Sequence, residues 1–159
     1  MLKKNILALA AWLATYPLLV SAQATGQCHD GYRWSSSFQG GKRVATYNAC
    51  NASGDFISIR CGPGWPVLII ERPFPELELG KTTFDWMYVD GQEYEMAIKT
   101  EYSEMLGAPF AILPLDHLSF GAIIRGNSMN LNVGDSSFTA HLKGSGKALE
   151  LIVGCPIGG

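Results

Sequence analysis

Between residues 92 and 99 the chain alternates with a period of two: Tyr94, Met96 and Ile98 are apolar, and Glu93, Glu95 and Lys99 are charged. Successive side chains of a strand point to opposite faces, so this pattern predicts a strand with one face in a core and one in water. The arm before it, residues 82–89, is joined by Asp90-Gly91, a pair that accepts the positive φ angles of a tight turn; together they predict a β-hairpin. A second hairpin is predicted from residues 128–133 and 137–142, turning at Gly134-Asp135, with Met129, Leu131 and Val133 facing Phe138, Ala140 and Leu142. Shorter strands are predicted over residues 42–47 and 56–60, joined by the turn formers of 51–55. Residues 66–71 form an apolar, branched strand between Gly62-Pro63-Gly64 and the prolines at 73 and 75.

Helical spacing appears twice. Leu115, Leu118, Ala122 and Ile123 fall on one side of a helix over residues 115–125, with Gly126 as its C-cap. Ala148, Leu149, Leu151 and Ile152 do the same after Gly144, with Ser145 expected to cap the first amides, Gly154 to stop the helix and Cys155 to pin it. Many short strands with two short helices at an edge predict a mainly β fold, a β-sandwich or open barrel in a single domain.

The start of the chain does not belong to that fold. Met1-Leu2-Lys3-Lys4-Asn5, an apolar run from Ile6 to Val20 and then Ser21-Ala22 make a secretory signal peptide over residues 1–22, leaving 23–159 as the β-rich domain. The apolar run is shorter than a bilayer span and contains Pro17, so no membrane span is expected after signal removal. Losing Lys3 and Lys4 takes the formal charge from −2 to −4. A mildly acidic chain without a basic run argues against nucleic acid as a partner.

Export also changes the meaning of the four cysteines, Cys28, Cys50, Cys61 and Cys155. In an oxidising compartment an even count predicts disulfides, and the absence of any C-x-x-C pair argues against zinc. Four cysteines allow three pairings; the one preferred here joins Cys28 to Cys50 and Cys61 to Cys155, the second stapling the chain's end to its body.

Candidate chemistry is sparse. Gly144-Ser145-Gly146-Lys147 invites comparison with a phosphate-binding loop, but His141 stands where the first glycine is needed and Ala148 where the hydroxyl that holds magnesium is needed. The glycines are therefore read as hinges around the closing helix. His29, His117 and His141 form no metal-ligating pattern, no nucleophile elbow is complete, and no calcium loop is present, so no catalytic residue, metal or cofactor is predicted. Acids crowd residues 71–104, with Glu93 and Glu95 on the wet face of their strand. Trp65, in a loop stiffened by Pro63 and Pro66, and Trp34, beside Tyr32 and a run of serines, are candidate aromatic contacts.

Leu142-Lys143-Gly144 followed by Lys147-Ala148-Leu149-Glu150-Leu151 resembles the closing element of the invasion-associated locus B family of exported bacterial proteins. Leu77-Glu78-Leu79-Gly80, Val89-Asp90-Gly91 and Ile123-Ile124-Arg125-Gly126 before Met129-Asn130-Leu131 are similar in order too. This resemblance, over roughly residues 56–155, implies a secreted or periplasmic β-rich domain in a family without catalytic residues to carry over. The expectation is an exported, non-enzymatic protein that binds another protein, such as an inhibitor or immunity-type partner of a secreted hydrolase. Its binding residues would be Trp65, Glu93, Glu95 and Trp34. The competing expectations are a small hydrolase of cell-wall glycans using paired carboxylates and a structural envelope protein.

Overall fold

A computed structural model of the protein describes residues 24–51, 55–150, 152, 154 and 155. The expected signal peptide, part of the 51–55 turn and Leu151 of the closing helix lie outside them. The elements are β1 (Ala24–Thr25), β2 (Tyr32–Gln39), β3 (Lys42–Ala49), β4 (Asp55–Cys61), β5 (Pro66–Ile70), β6 (Thr82–Val89), β7 (Gln92–Ser103), β8 (Ala108–Pro114), α1 (His117–Arg125), β9 (Ser128–Val133), β10 (Ser136–His141) and α2 (Ser145–Leu149). The strands form one antiparallel sheet in the order β1-β2-β3-β4-β5-β8-β7-β6-β9-β10. The fold is mainly β with two short helices, as the patterning predicts.

Two-residue turns set the registers. Gly40 and Gly41 at φ +56° and +76°, and Asp90 and Gly91 at +51° and +83°, close the β2–β3 and β6–β7 hairpins with the left-handed conformations that suit strand twist. From β5 the chain crosses to β6 and returns through β7 and β8, so that β8 pairs with β5. Helix α1 then carries it to β9, on the other side of β6.

One face of the sheet is the core. Ala45, Ile59, Leu68, Leu113, Ile98, Met87 and Leu131, from seven different strands, are fully buried on it, and Phe120, Ile123, Ala148 and Leu149 of the helices pack into the same cluster. The sheet curls around this cluster. Trp34 on β2 donates its indole N–H to the His141 carbonyl at 2.8 Å, and the His141 N–H donates to the Tyr47 hydroxyl at 3.2 Å. The end of β10 thereby meets β2 and β3 from the far side of the strand order. His141 Nε2 also lies 2.9 Å from the Asp30 carboxylate.

The disulfides pair as preferred from sequence, Cys28 with Cys50 and Cys61 with Cys155. They fit an oxidising compartment outside the cytoplasm. Among the described residues no helix is long and apolar enough to cross a membrane.

Three local expectations are corrected. Helix α1 begins at His117 rather than 115, because the Leu115 N–H still bonds to the Pro66 carbonyl beside β5 and Asp116 caps the helix, accepting the Ser119 N–H at 2.7 Å. Ser145 does not cap α2: it is the first helical residue, fully buried, and its hydroxyl donates to the Ile123 carbonyl at 2.8 Å. That carbonyl lies in the last turn of α1, where helical partners run out. Strands β1, β2 and β8 are additions to the predicted set.

Candidate functional site

The β6–β7 hairpin builds the most distinctive surface. Its turn fixes Val89 opposite Gln92, Met87 opposite Tyr94 and Trp86 opposite Glu95. Cross-strand partners share a face, so burying Met96 and Ile98 turns Met87 and Val89 inward and Phe84, Trp86 and Tyr88 outward. Phe84 is 67% exposed and Trp86 43%, and Tyr88 is half-buried. They stand at every second residue of one strand, an aromatic row flanked by β7 along its length and by β9 at Tyr88.

Polar groups border the row on both sides. On β7, Glu93 lies opposite Tyr88, Glu95 opposite Trp86 and Ala97 opposite Phe84, and both carboxylates are exposed. Lys99 and Glu101 continue the same face. On β9, Asn130 pairs with Tyr88, and its side-chain oxygen accepts the Thr139 hydroxyl at 2.7 Å. The Asp85 carboxylate accepts the Trp86 N–H at 2.8 Å, tying the backbone at the centre of the row.

The turn itself is anchored. The Asp90 carboxylate accepts the Ser128 N–H at 2.9 Å and both the backbone and side-chain N–H of Asn127. These bonds, the Ser128 amide first, hold its carboxyl below the usual carboxylate range. One turn residue thus fixes the aromatic hairpin to the junction between α1 and β9.

Of the expected binding residues, Glu93 and Glu95 lie on this face and the tryptophans do not. Trp65 is 39% exposed at the tip of a loop closed by the Gly62 N–H to Trp65 carbonyl bond of 2.7 Å and by the Cys61–Cys155 bridge. It precedes β5, which β8 separates from β7 in the sheet. Trp34 is 1% exposed and belongs to the core, at the base of a cavity.

The acids of residues 71–104 also separate. Glu71 accepts the Ser58 hydroxyl at 2.8 Å, and Glu76 and Glu78 line a small recess with Lys81 and Thr100, where Glu78 pairs with Lys81. The histidines are not brought together either: His117 opens α1, His141 meets Asp30, and His29 lines the cavity beside Trp34. Among the described residues no group of three His, Cys, Asp or Glu side chains could hold a metal ion.

Phe84, Trp86 and Tyr88 are absent from the residues singled out by sequence. The signal was present, because a two-residue turn and a wet Glu93–Glu95 face determine which face their partners share. Comparisons with family models, curated proteins and solved structures found no match.

Proposed function

We propose that this is a non-enzymatic binding module of the periplasm or cell exterior, which docks a partner protein on the outer face of β6 and β7. The observation that supports it is the outward row of Phe84, Trp86 and Tyr88 beside Glu93 and Glu95. Large rigid aromatics surrounded by polar groups are the composition of protein-binding hot spots. Glu93, Glu95 and Glu101 outnumber Lys99 on β7, which favours a partner whose contact surface carries basic residues. An inhibitor or immunity-type role toward a secreted hydrolase agrees with this acidity, with the disulfides, with the expected signal peptide, and with the resemblance of the closing element to the locus B family.

The test uses the oxidised protein without residues 1–22 as bait in periplasmic and culture extracts, beside Trp86→Ala and a Glu93→Lys, Glu95→Lys double variant. A stoichiometric partner protein should bind at least about tenfold more weakly to Trp86→Ala. The charge reversals should slow its association and flatten its salt dependence. Equal binding by all three proteins would move the contact elsewhere and overturn the proposal. Self-association abolished by Trp86→Ala, read by light scattering, would assign the face to a second copy instead. Cleavage of cell-wall glycan by the pure protein, lost in Glu93→Gln or Glu95→Gln, would replace this reading with the hydrolase.

A further inference from the structure

A cavity of about 350 Å³ opens where residues 26–29, β2 and the start of α2 meet. Its walls are Gly26, Gln27, His29, Trp34, Lys143, Gly144, Lys147 and Ala148. The volume lies within the range of small-molecule sites.

The charge of these walls runs against that of the molecule. The whole chain carries a formal charge of −2, yet Lys143 and Lys147 face this opening with His29 and without a single carboxylate in the lining. Neither lysine makes an ion pair among the described residues, where the two pairs are Lys81 with Glu78 and His141 with Asp30. Gly144, at φ +89°, turns the chain sharply between β10 and α2, so that lysines four residues apart lie along one opening. The floor is fixed in advance: the Trp34 N–H is already bonded to the His141 carbonyl, and Ala148 is buried in the core. Trp34 and Ala148, 1% and 3% exposed, therefore lie at the buried base of the opening, and the indole leaves no unmet donor there.

We infer that this cavity binds a small organic anion, its acidic group met by Lys143 and Lys147 and its apolar body lying toward Trp34 and Ala148. Two ammonium groups that can converge on one acid recognise charge rather than one fixed geometry, so carboxylates and phosphate monoesters share the required chemistry. No magnesium site is required, which is consistent with Ala148 standing where a metal-holding hydroxyl would be in a nucleotide loop. The site is independent of the β6–β7 face, being built from other elements.

The probes are benzoate, phenyl phosphate, inorganic phosphate and, as the uncharged control, benzyl alcohol, each titrated into isotope-labelled oxidised protein by NMR. Benzoate or phenyl phosphate should shift the Gly26, Gly144 and Ala148 amides and the Trp34 indole N–H saturably, and benzyl alcohol should not. The benzoate and phenyl phosphate arms show which acid is preferred; saturation by inorganic phosphate as tight as by phenyl phosphate would remove the apolar base from the proposal. A Lys143→Met, Lys147→Met variant should bind at least about tenfold more weakly, consistent with charge-assisted contacts, while the arginine double variant retains binding. Both lysines are exposed, and an unchanged spectrum without probe will show that the variants fold. Absence of saturable shifts with every anion, shifts outside these residues, or equal affinity in the methionine variant would overturn the inference.

Discussion

Asp90 shows how much a single side chain can decide. Its positive φ of 51° makes the β6–β7 turn, and its carboxylate collects the amides of Asn127 and Ser128. Asparagine tolerates the same backbone conformation, so Asp90→Asn isolates the charge from the turn. Because the folded carboxyl is held below its usual value, its contribution is present above the ordinary aspartate range and is lost as pH falls through the lowered value. Asp90→Asn should therefore melt below the parent at pH 7, and the gap should close on acidification toward pH 2; a gap constant with pH would show that the charge contributes nothing. Gly126, beside the same junction, is irreplaceable for another reason. A Cβ there would lie 2.5 Å from Val89 Cγ1 and 2.9 Å from both the Ala122 carbonyl oxygen and Leu142 Cδ1. Gly126→Ala should cost about 1–3 kcal/mol in urea unfolding, the range for overpacking a filled site; a change below a few tenths would mean that the junction yields.

Elements differ in how far they could be read before folding. The β6–β7 and β9–β10 hairpins were legible because alternation and a short turn are both local signals, and each needs only neighbouring residues to form. Strand β8 was not, since Ala108-Pro109-Phe110-Ala111-Ile112-Leu113-Pro114 contains two prolines and is apolar at every position, giving no polar alternation to detect. Strand β2 hides for the opposite reason: its serines look like a loop, and its partner β3 and the glycine turn supply its strand character. The aromatic row lies between these cases. Face assignment on β7 was available, but propensity pulls Phe84, Trp86 and Tyr88 toward a core, and only pairing arithmetic moves them outward. Helix α2 was found by its spacing while the role of Ser145 was not, because its acceptor, Ile123, is distant in sequence and is placed by tertiary packing. Ser145→Ala would leave that carbonyl without its hydroxyl and should destabilise by about 1–3 kcal/mol. Hydrogen exchange should rise most in the last turn of α1 and the first of α2; a loss spread evenly over the sheet would show that the bond does not join the helices.

The whole molecule depends on bringing distant segments around one core, and the two disulfides act on that requirement unequally. Cys28 and Cys50 are 22 residues apart and tie β2's entry to β3's exit, which their hairpin already holds close. Cys61 and Cys155 are 94 residues apart, and their bridge encloses the crossover, the aromatic hairpin and both helices. In the chain-entropy description the cost removed from the unfolded state grows with the logarithm of loop length, giving roughly 3.4 kcal/mol for the shorter loop and roughly 4.7 kcal/mol for the longer. Either is a large share of the stability of a domain of this size. Paired cysteine-to-alanine variants should therefore both unfold at lower urea concentration than the parent, the Cys61–Cys155 variant at the lower of the two. The reverse order would show that strain or residual structure in the unfolded chain outweighs loop entropy. The same pair of variants separates stability from recognition, because neither bridge touches the β6–β7 face. Under conditions where both remain folded, each should bind a partner of that face with the parent's affinity, and a loss confined to the Cys61–Cys155 variant would make the Trp65 loop, which that bridge holds, part of the contact.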